Sequence, residues 1–431
     1  MKRKILKVTL GIAIIASLSG CSNTDKQISL EVPEKEQTEI LDTQGKNKEI
    51  YEETQNIDNT PEVLEMTTLE KAATMIDKFN EKGENILYSP LSLDMALGLV
   101  SEGSVDETRK QLDNYLLTEN YNEKASKIIK YTEEISDEEN KFEIANSIWV
   151  DKSCSLKQSY QSVVENTFKA TAKTLDIKND PVNSAAEINE WVDNKTHGLI
   201  KEIIIPSALS SDTKSVLVNS IYFNALWAEK WETSEDSKLQ FTNLNAKVIE
   251  TDLLYGNVDT YFENKKATAF GKYYKNGLMF IGVLPKNEGE FNISELNLDE
   301  LLENEKENIE VYAEMPKLDY EFTSYNLTEH LKDFGVTDIF NSESKLTEII
   351  EPNKDIDTLV ITDIIQKCRI ILDEEKTEAA AVTAIIMANC TSIEISEKEY
   401  KEVILDRPFA YMIYDTVNKE VVFIGKYVDA K

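Results

Sequence analysis

The segment "SVLVNSIYFNALW", Ser215–Trp227, limits the folds open to this chain more than any other. It is long, apolar and β-branched, and it lacks the apolar–polar alternation of a strand with one wet face. Such a run reads as a strand buried on both faces, in the interior of a covered sheet. "KFEIANSIWVDKS" precedes it as a strand candidate, and "LMFIGVLPK", "IEVYAEMPKLDYEFTSY" and "LVITDIIQKCRIILDEE" follow it. "FAYMIYDTVNKEVVFIGKY" holds a polar turn between two apolar runs, the pattern of a hairpin. Helical patterns come earlier. "TTLEKAATMIDKFNEKGEN" opens on threonine caps and is expected to stop by Gly83. "YSPLSLDMALGLVSEG" and "VDETRKQLDNYL" read as two more helices. Helices early and strands late predict an α+β fold with large mixed sheets.

The rest of the chain sets its context. Charged residues make up 29% and the formal net charge is −32, a surface that repels phosphate backbones and argues against nucleic-acid binding. The acidity reads as solubility. Residues 1–20 join a basic "MKRKILK" to a short apolar stretch, the pattern of an export signal too short to span a bilayer comfortably. They end at Leu18-Ser19-Gly20, followed by Cys21. This resembles the bacterial lipobox, which implies cleavage before Cys21, lipidation of its sulfur, and a protein exported and anchored on the extracytoplasmic side of a membrane. Two acyl chains suffice for such an anchor where one is marginal. Residues 21–65 then form a lipidated cysteine and a polar, acidic linker expected to stay disordered. As a flexible coil it would reach about 35–40 Å. Residues 66–431 are expected to fold.

No pattern in the chain supports catalysis. Cys154, Cys368 and Cys390 lie far apart and lack metal-ligand or CxxC spacing, and Cys154 and Cys368 read as buried apolar residues. The two histidines, His197 and His330, are not in an HExxH arrangement, and no GxSxG elbow or glycine-rich phosphate loop is present. Neither a metal nor a cofactor is expected.

Several motifs in order make the chain similar to the serpin family from about Met66 to Lys431. "NILYSPLSLDMALGLVSEGSVDETRKQL" resembles that family's early signature, with Asn85, Ser89, Pro90 and Ser92 in their usual places. "INEWVDNKTHGLIKEII", "LVNSIYFNALWAEKW", "MPKLDYEFTSYNLTEHLKDFGVTDIF" and "DRPFAYMIYD" with "VVFIGKYV" match further segments. The resemblance implies three β-sheets, eight or nine helices and an exposed reactive-centre loop. It also implies suicide inhibition of serine, sometimes cysteine, proteases. The target cleaves the loop, forms an acyl-enzyme, and is trapped when the loop inserts as a new strand in the main sheet. Such insertion is strand addition and conformational switching in one event.

"EEKTEAAAVTAIIMANC", from Glu374 to Cys390, matches the hinge and body of that loop. The hinge comprises Glu374, Glu375, Lys376, Thr377, Glu378, Ala379, Ala380 and Ala381. A strand alternates faces with period two. One face carries Thr377, Ala379, Ala381, Thr383, Ile385 and Met387. It begins small and turns apolar, so it can enter a sheet while Glu378 stays on the wetter face. A new strand of about a dozen residues gains on the order of 10 kcal/mol in ladder hydrogen bonds. That is comparable with the whole stability of an ordinary domain, about 5–15 kcal/mol, so the uncleaved state must be a kinetic trap.

By family position, Ser89, Pro90, Ser92 and Asn219 match the shutter beneath the main sheet, with Gln366 where many members have histidine. Trp227 matches the breach where the loop enters. Lys376 departs from the pattern, since the hinge normally has glycine there, and lysine resists angles that glycine permits. Slow insertion would make the protein a substrate rather than an inhibitor. The family's loop length puts the cleaved bond at Cys390-Thr391, with Asn389 and Met387 as the nearest alternatives. A small residue at that position suits elastase-like or subtilisin-like serine proteases. The expectation is a monomeric, membrane-tethered protease inhibitor that is not an enzyme. A non-inhibitory serpin and a solute-binding lipoprotein are its rivals.

Overall fold

The computed structural model describes residues 66–79, 83–324, 327–352, 358–377 and 399–430. Residues 1–65, with Cys21 and the linker, lie outside the described residues. So do Glu378, Ala379, Ala380, Ala381, Met387, Asn389, Cys390 and Thr391.

The chain runs α1 (Thr68–Lys78), β1 (Ile86–Tyr88), α2 (Pro90–Glu102), α3 (Asp106–Leu116), α4 (Tyr121–Glu134), β2 (Lys141–Asp151), α5 (Gln158–Thr167), β3 (Thr171–Leu175), α6 (Pro181–Lys195) and β4 (Ser215–Leu226). It continues β5 (Glu232–Thr242), β6 (Val248–Val258), β7 (Thr260–Glu263), β8 (Ala267–Tyr273), β9 (Met279–Pro285), α7 (Leu298–Glu303), β10 (Ile309–Pro316) and β11 (Leu318–Ser324). The last elements are α8 (Leu327–Asp333), β12 (Asp363–Leu372), β13 (Lys376–Thr377), β14 (Glu399–Ile404), β15 (Phe409–Asp415) and β16 (Glu420–Tyr427).

Among the described residues there are eight α-helices and three sheets, the α+β architecture that the resemblance implies. The central sheet orders its strands β11-β12-β4-β2-β3, with β13 attached to β4. A second sheet, closed only in the sense that its six strands pair without a gap, is β1-β16-β15-β9-β8-β7, and a small sheet is β14-β10-β6-β5.

Local chemistry explains the elements that position the central sheet. Thr67 caps α1 in a reciprocal capping box with Glu70. The helix ends at Lys78, earlier than the expected stop at Gly83. Ser89 caps α2 and Pro90 fills its first turn, where a missing N–H costs nothing. Every residue of α2 except its last is buried, so this helix runs through the core behind the central sheet. β4 is covered on both sides, as its composition predicts. Leu217, Ile221 and Phe223 join the main core, while Val216 and Val218 join a smaller cluster with Ile188 and Val192 of α6. "IEVYAEMPKLDYEFTSY" is two strands rather than one. The chain leaves the small sheet at Lys317, whose N–H donates to the Asp252 carbonyl at 3.1 Å, and enters the central sheet as β11. "LVITDIIQKCRIILDEE" becomes a strand only at Asp363.

Candidate functional site

The central sheet is incompletely zipped. β12 pairs with β4 in parallel over four residues, from Asp363↔Val216 to Gln366↔Asn219. Above that point β12 is laddered only to β11, and β4 only to β2. The two strands meet again through the chain that leaves β12. It turns at Asp373–Glu375 and returns as β13, where Lys376 pairs with Leu226 and Thr377 with Ala225, antiparallel to β4. Ser220–Asn224 thus face β12 with no ladder partner between the strands among the described residues. At about 3.4 Å per residue, this seam is roughly 17 Å long.

A buried polar network closes the lower end of the seam. Gln366, Asn219 and Asn146 stand side by side on β12, β4 and β2. The Gln366 Nε2 donates to Asn219 Oδ1 at 2.6 Å and to the Ser89 carbonyl at 2.9 Å, and its Oε1 accepts from the Ser89 N–H at 3.0 Å. The Asn219 Nδ2 reaches Asn146 Oδ1 and Ser92 Oγ, both at 2.6 Å, and the Ser92 carbonyl. Ser89 Oγ donates to the Val422 carbonyl at 2.7 Å, which ties the start of α2 to β16 of the closed sheet. Ser89, Ser92, Asn219 and Gln366 are fully buried. Each polar atom removed here strands a partner out of water, at a cost of about 1–3 kcal/mol. The amide of Gln366, on β12, holds both Ser89 at the start of α2 and Asn219 across on β4. Burial on the same strand pushes the Cys368 thiol well up, which keeps it inert, and Cys154 is also buried and unbridged.

The upper end of the seam is aromatic. Trp227 is buried, stacks on Tyr274 with centroids 4.2 Å apart, and stands perpendicular to Trp231. Its Nε1 donates to the Asp373 carbonyl at 2.9 Å, and its backbone N–H donates to the Glu375 carbonyl at 3.3 Å. The Trp231 N–H donates to the Glu374 carbonyl at 3.0 Å. Two lysines grip the hinge carboxylates, Lys317 on Glu374 and Lys230 on Glu375, the latter at 2.7 Å. The hydrogen bond from Lys317 holds the Glu374 carboxyl below its usual range. Lys376 sits in an extended ladder pair, a backbone state that any residue adopts, so this conformation asks nothing of glycine.

The structure therefore gathers the named residues into two clusters. Ser89, Pro90, Ser92, Asn219 and Gln366 lie at one end of the seam, and Trp227 with Glu374 to Thr377 at the other. Sequence reasoning missed Asn146, Lys230, Trp231, Tyr274 and Lys317. Only Trp231, four residues from Trp227 in "WAEKW", carried a local hint. The histidines belong to neither cluster. His197 pairs with Glu143 at 3.0 Å on the exposed face, and the His330 ring packs edge-on against Phe79.

Comparison with known proteins gives the same frame. A family model described as "Serpin (serine protease inhibitor)" matches residues 69–430. Serpin-Z10 of Arabidopsis thaliana is 29% identical over 87% of this chain and 98% of its own length. The native-state crystal structure of tengpin, a thermophilic serpin, superposes with a TM-score of 0.72 at 26% identity, over 84% of this chain and 93% of that one. A thyroxine-binding globulin complexed with thyroxine superposes with a TM-score of 0.69 at 20% identity, over 84% of this chain and 98% of that one, a likeness of fold alone.

Proposed function

The chain belongs to the serpin family, whose members are generally protease inhibitors, and from that premise we propose that it is a suicide inhibitor of serine endopeptidases. One observation carries the reading. Lys376 and Thr377 of the hinge are laddered to β4 at the head of a seam that has no other ladder partner among the described residues.

Continuing that antiparallel register down β4 assigns each further loop residue a partner. Glu378 falls opposite Asn224, Ala379 opposite Phe223, Ala380 opposite Tyr222, Ala381 opposite Ile221 and Val382 opposite Ser220. Phe223 and Ile221 are buried in the main core, whereas Asn224 is partly exposed. The small face of the loop would meet the core and Glu378 would meet solvent. Entry as far as Val382 needs only the existing seam. From Thr383, opposite Asn219, the loop must break the four-pair β12–β4 ladder and the Gln366–Asn219 bond. The shutter is thus the step that separates a poised hinge from a full strand.

In this reading the target's serine attacks the carbonyl of the scissile bond, Cys390-Thr391 or a bond beside Asn389 or Met387. The amine on the C-terminal side departs and the acyl-enzyme forms. Insertion then outruns hydrolysis. A small residue at the cleaved position favours elastase-like or subtilisin-like targets. Lipidation at Cys21 would hold the inhibitor on the outer side of a membrane, reaching out on the linker. A Cys21→Ala variant should leave the membrane fraction or stay unprocessed, and membrane retention of a processed variant would contradict the anchor.

Incubation with porcine elastase and with subtilisin, followed by denaturing electrophoresis, tests the inhibitory reading. A covalent complex that survives SDS is expected with at least one. Quantitative loop cleavage with no complex would instead mark a serpin fold without inhibition.

A further inference from the structure

A cavity of about 580 Å³ opens on the central sheet below the seam, within the size range of small-molecule sites. β12 forms one wall, the chain after α6 a second, and the end of β11 with the start of α8 a third. Its apolar lining includes Ile203, Ile204 and Ile365, which are buried, and Ile205 at the mouth, 53% exposed.

Two features of this cavity bear on what it could hold. Ser324 is 3% exposed, yet its Oγ has no hydrogen-bond partner among the described residues, and the buried Oγ1 of Thr328 beside it has none either. Both residues line the cavity. Unpaired buried hydroxyls are costly, and two in one cavity point to a group from outside the chain. The charge around them is also one-sided. Of the lining carboxylates Glu202, Glu329 and Asp363, Glu329 is paired with Lys332 at 2.7 Å, and the lining holds one cation, Lys367. That lysine is already engaged, with its Nζ 2.9 Å from Glu321 and 3.2 Å from the Glu202 carbonyl.

We propose that this cavity binds a small amphipathic cation, an apolar body bearing a protonated amine. The body packs on Ile203, Ile204 and Ile365. The amine lies against the Glu202 and Asp363 carboxylates, at the wall that carries Ser324 and Thr328. Asp363, Ile364 and Ile365 are three of the four β12 residues laddered to β4. A bound ligand therefore braces the ladder that the loop must break beyond Val382. This brace, unlike the binding itself, rests on the inhibitory reading.

Calorimetric titration of the full chain with tryptamine, the neutral tryptophol and the anionic indole-3-acetate tests the site. Tryptamine is expected to bind one to one, tryptophol at least about tenfold more weakly, and indole-3-acetate not at all, since only the amine meets the carboxylates. Ala208→Trp, on an exposed turn at the cavity wall, should abolish tryptamine binding without lowering the melting temperature. Asp363→Asn should weaken it several-fold. No binding of tryptamine, equal binding of all three compounds, or binding unchanged in Ala208→Trp would overturn the site. Saturating tryptamine should also slow covalent complex formation with a protease. Binding that leaves that rate unchanged overturns the brace and leaves inhibition intact. If no complex forms with or without tryptamine, the inhibitory reading fails while the titration still decides the site.

Discussion

In the closed sheet β15 is laddered on both sides, to β16 and to β9, and every residue of it is buried. Rings of Phe280, Phe409, Tyr411 and Tyr427 interlock across it, and a Cβ added at Gly425 would lie 2.3 Å from the Tyr411 ring. In the central sheet β4 is equally apolar and almost equally buried. Its stretch Ser220–Asn224 nevertheless has a ladder neighbour on one side only among the described residues, and its lower end is held to β12 by four ladder pairs and a glutamine side chain. The same strand chemistry thus gives a finished sheet in one place and, among the described residues, an unpaired seam in the other. What differs is the pairing inside the sheet. The closed sheet pairs its strands without a gap, whereas β12 and β4 part over Ser220–Asn224 among the described residues.

Substitutions can break this contrast in graded ways. The largest effect is expected from Ala381→Arg. The continued register puts residue 381 against Ile221, 1% exposed in the core, where a guanidinium cannot be hydrated. Insertion should stall, so the SDS-stable complex falls by at least about a hundredfold while the loop is still cut, as gel densitometry would show. Gly425→Val comes next. It crowds the Tyr411 ring and should cost about 1–3 kcal/mol or more through overpacking. Thermal melting should show it lowering the intact and the loop-cleaved protein alike, because the closed sheet is the same in both.

Gln366→Leu sharpens the comparison. It leaves the Ser89 N–H and Asn219 Oδ1 without Gln366, about 1–3 kcal/mol for each buried group left unpaired. The intact protein should melt several degrees lower. Its rate of spontaneous loss of inhibitory activity on storage should rise, because the latch on the seam is gone. The smallest effect is acid release of the hinge. The Glu374 carboxyl is held below its usual range, so its contribution is present above the unfolded carboxylate range and fades as pH falls through the lowered folded value. Fluorescence of Trp227 and Trp231 should change below about pH 4, and Lys317→Met should move that change toward higher pH.

Much of the fold was legible. The unbroken apolar run of β4, the hairpin of β15 and β16, and the caps of α1 and α2 are local signals that tertiary structure kept. β5 was not legible, because its outward residues are mostly exposed and its sequence is polar. α5 carries no signal beyond a modest apolar stripe, and α4 adds only its Asn120 cap with Glu123 in the first turn. The site divides similarly. Ser89, Pro90, Asn219 and Trp227 stand in family motifs. Asn146 is an ordinary asparagine until the β2–β4 register sets it beside Asn219. Lys230 and Lys317 meet Glu375 and Glu374 across 145 and 57 residues of chain, a separation no local pattern encodes. Lys376 looked like a defect by residue type, and the ladder shows its backbone merely extended.

If the seam is a vacancy for the chain's own loop, filling it must stabilise the whole molecule. Thermal unfolding of the intact protein and of the protein cut once within the loop measures this most directly. A filled seam adds on the order of 10 kcal/mol of ladder hydrogen bonds, so the cleaved form should melt at least about 15 °C higher. Equal melting temperatures, or a lower one for the cleaved form, would contradict a vacancy of that kind.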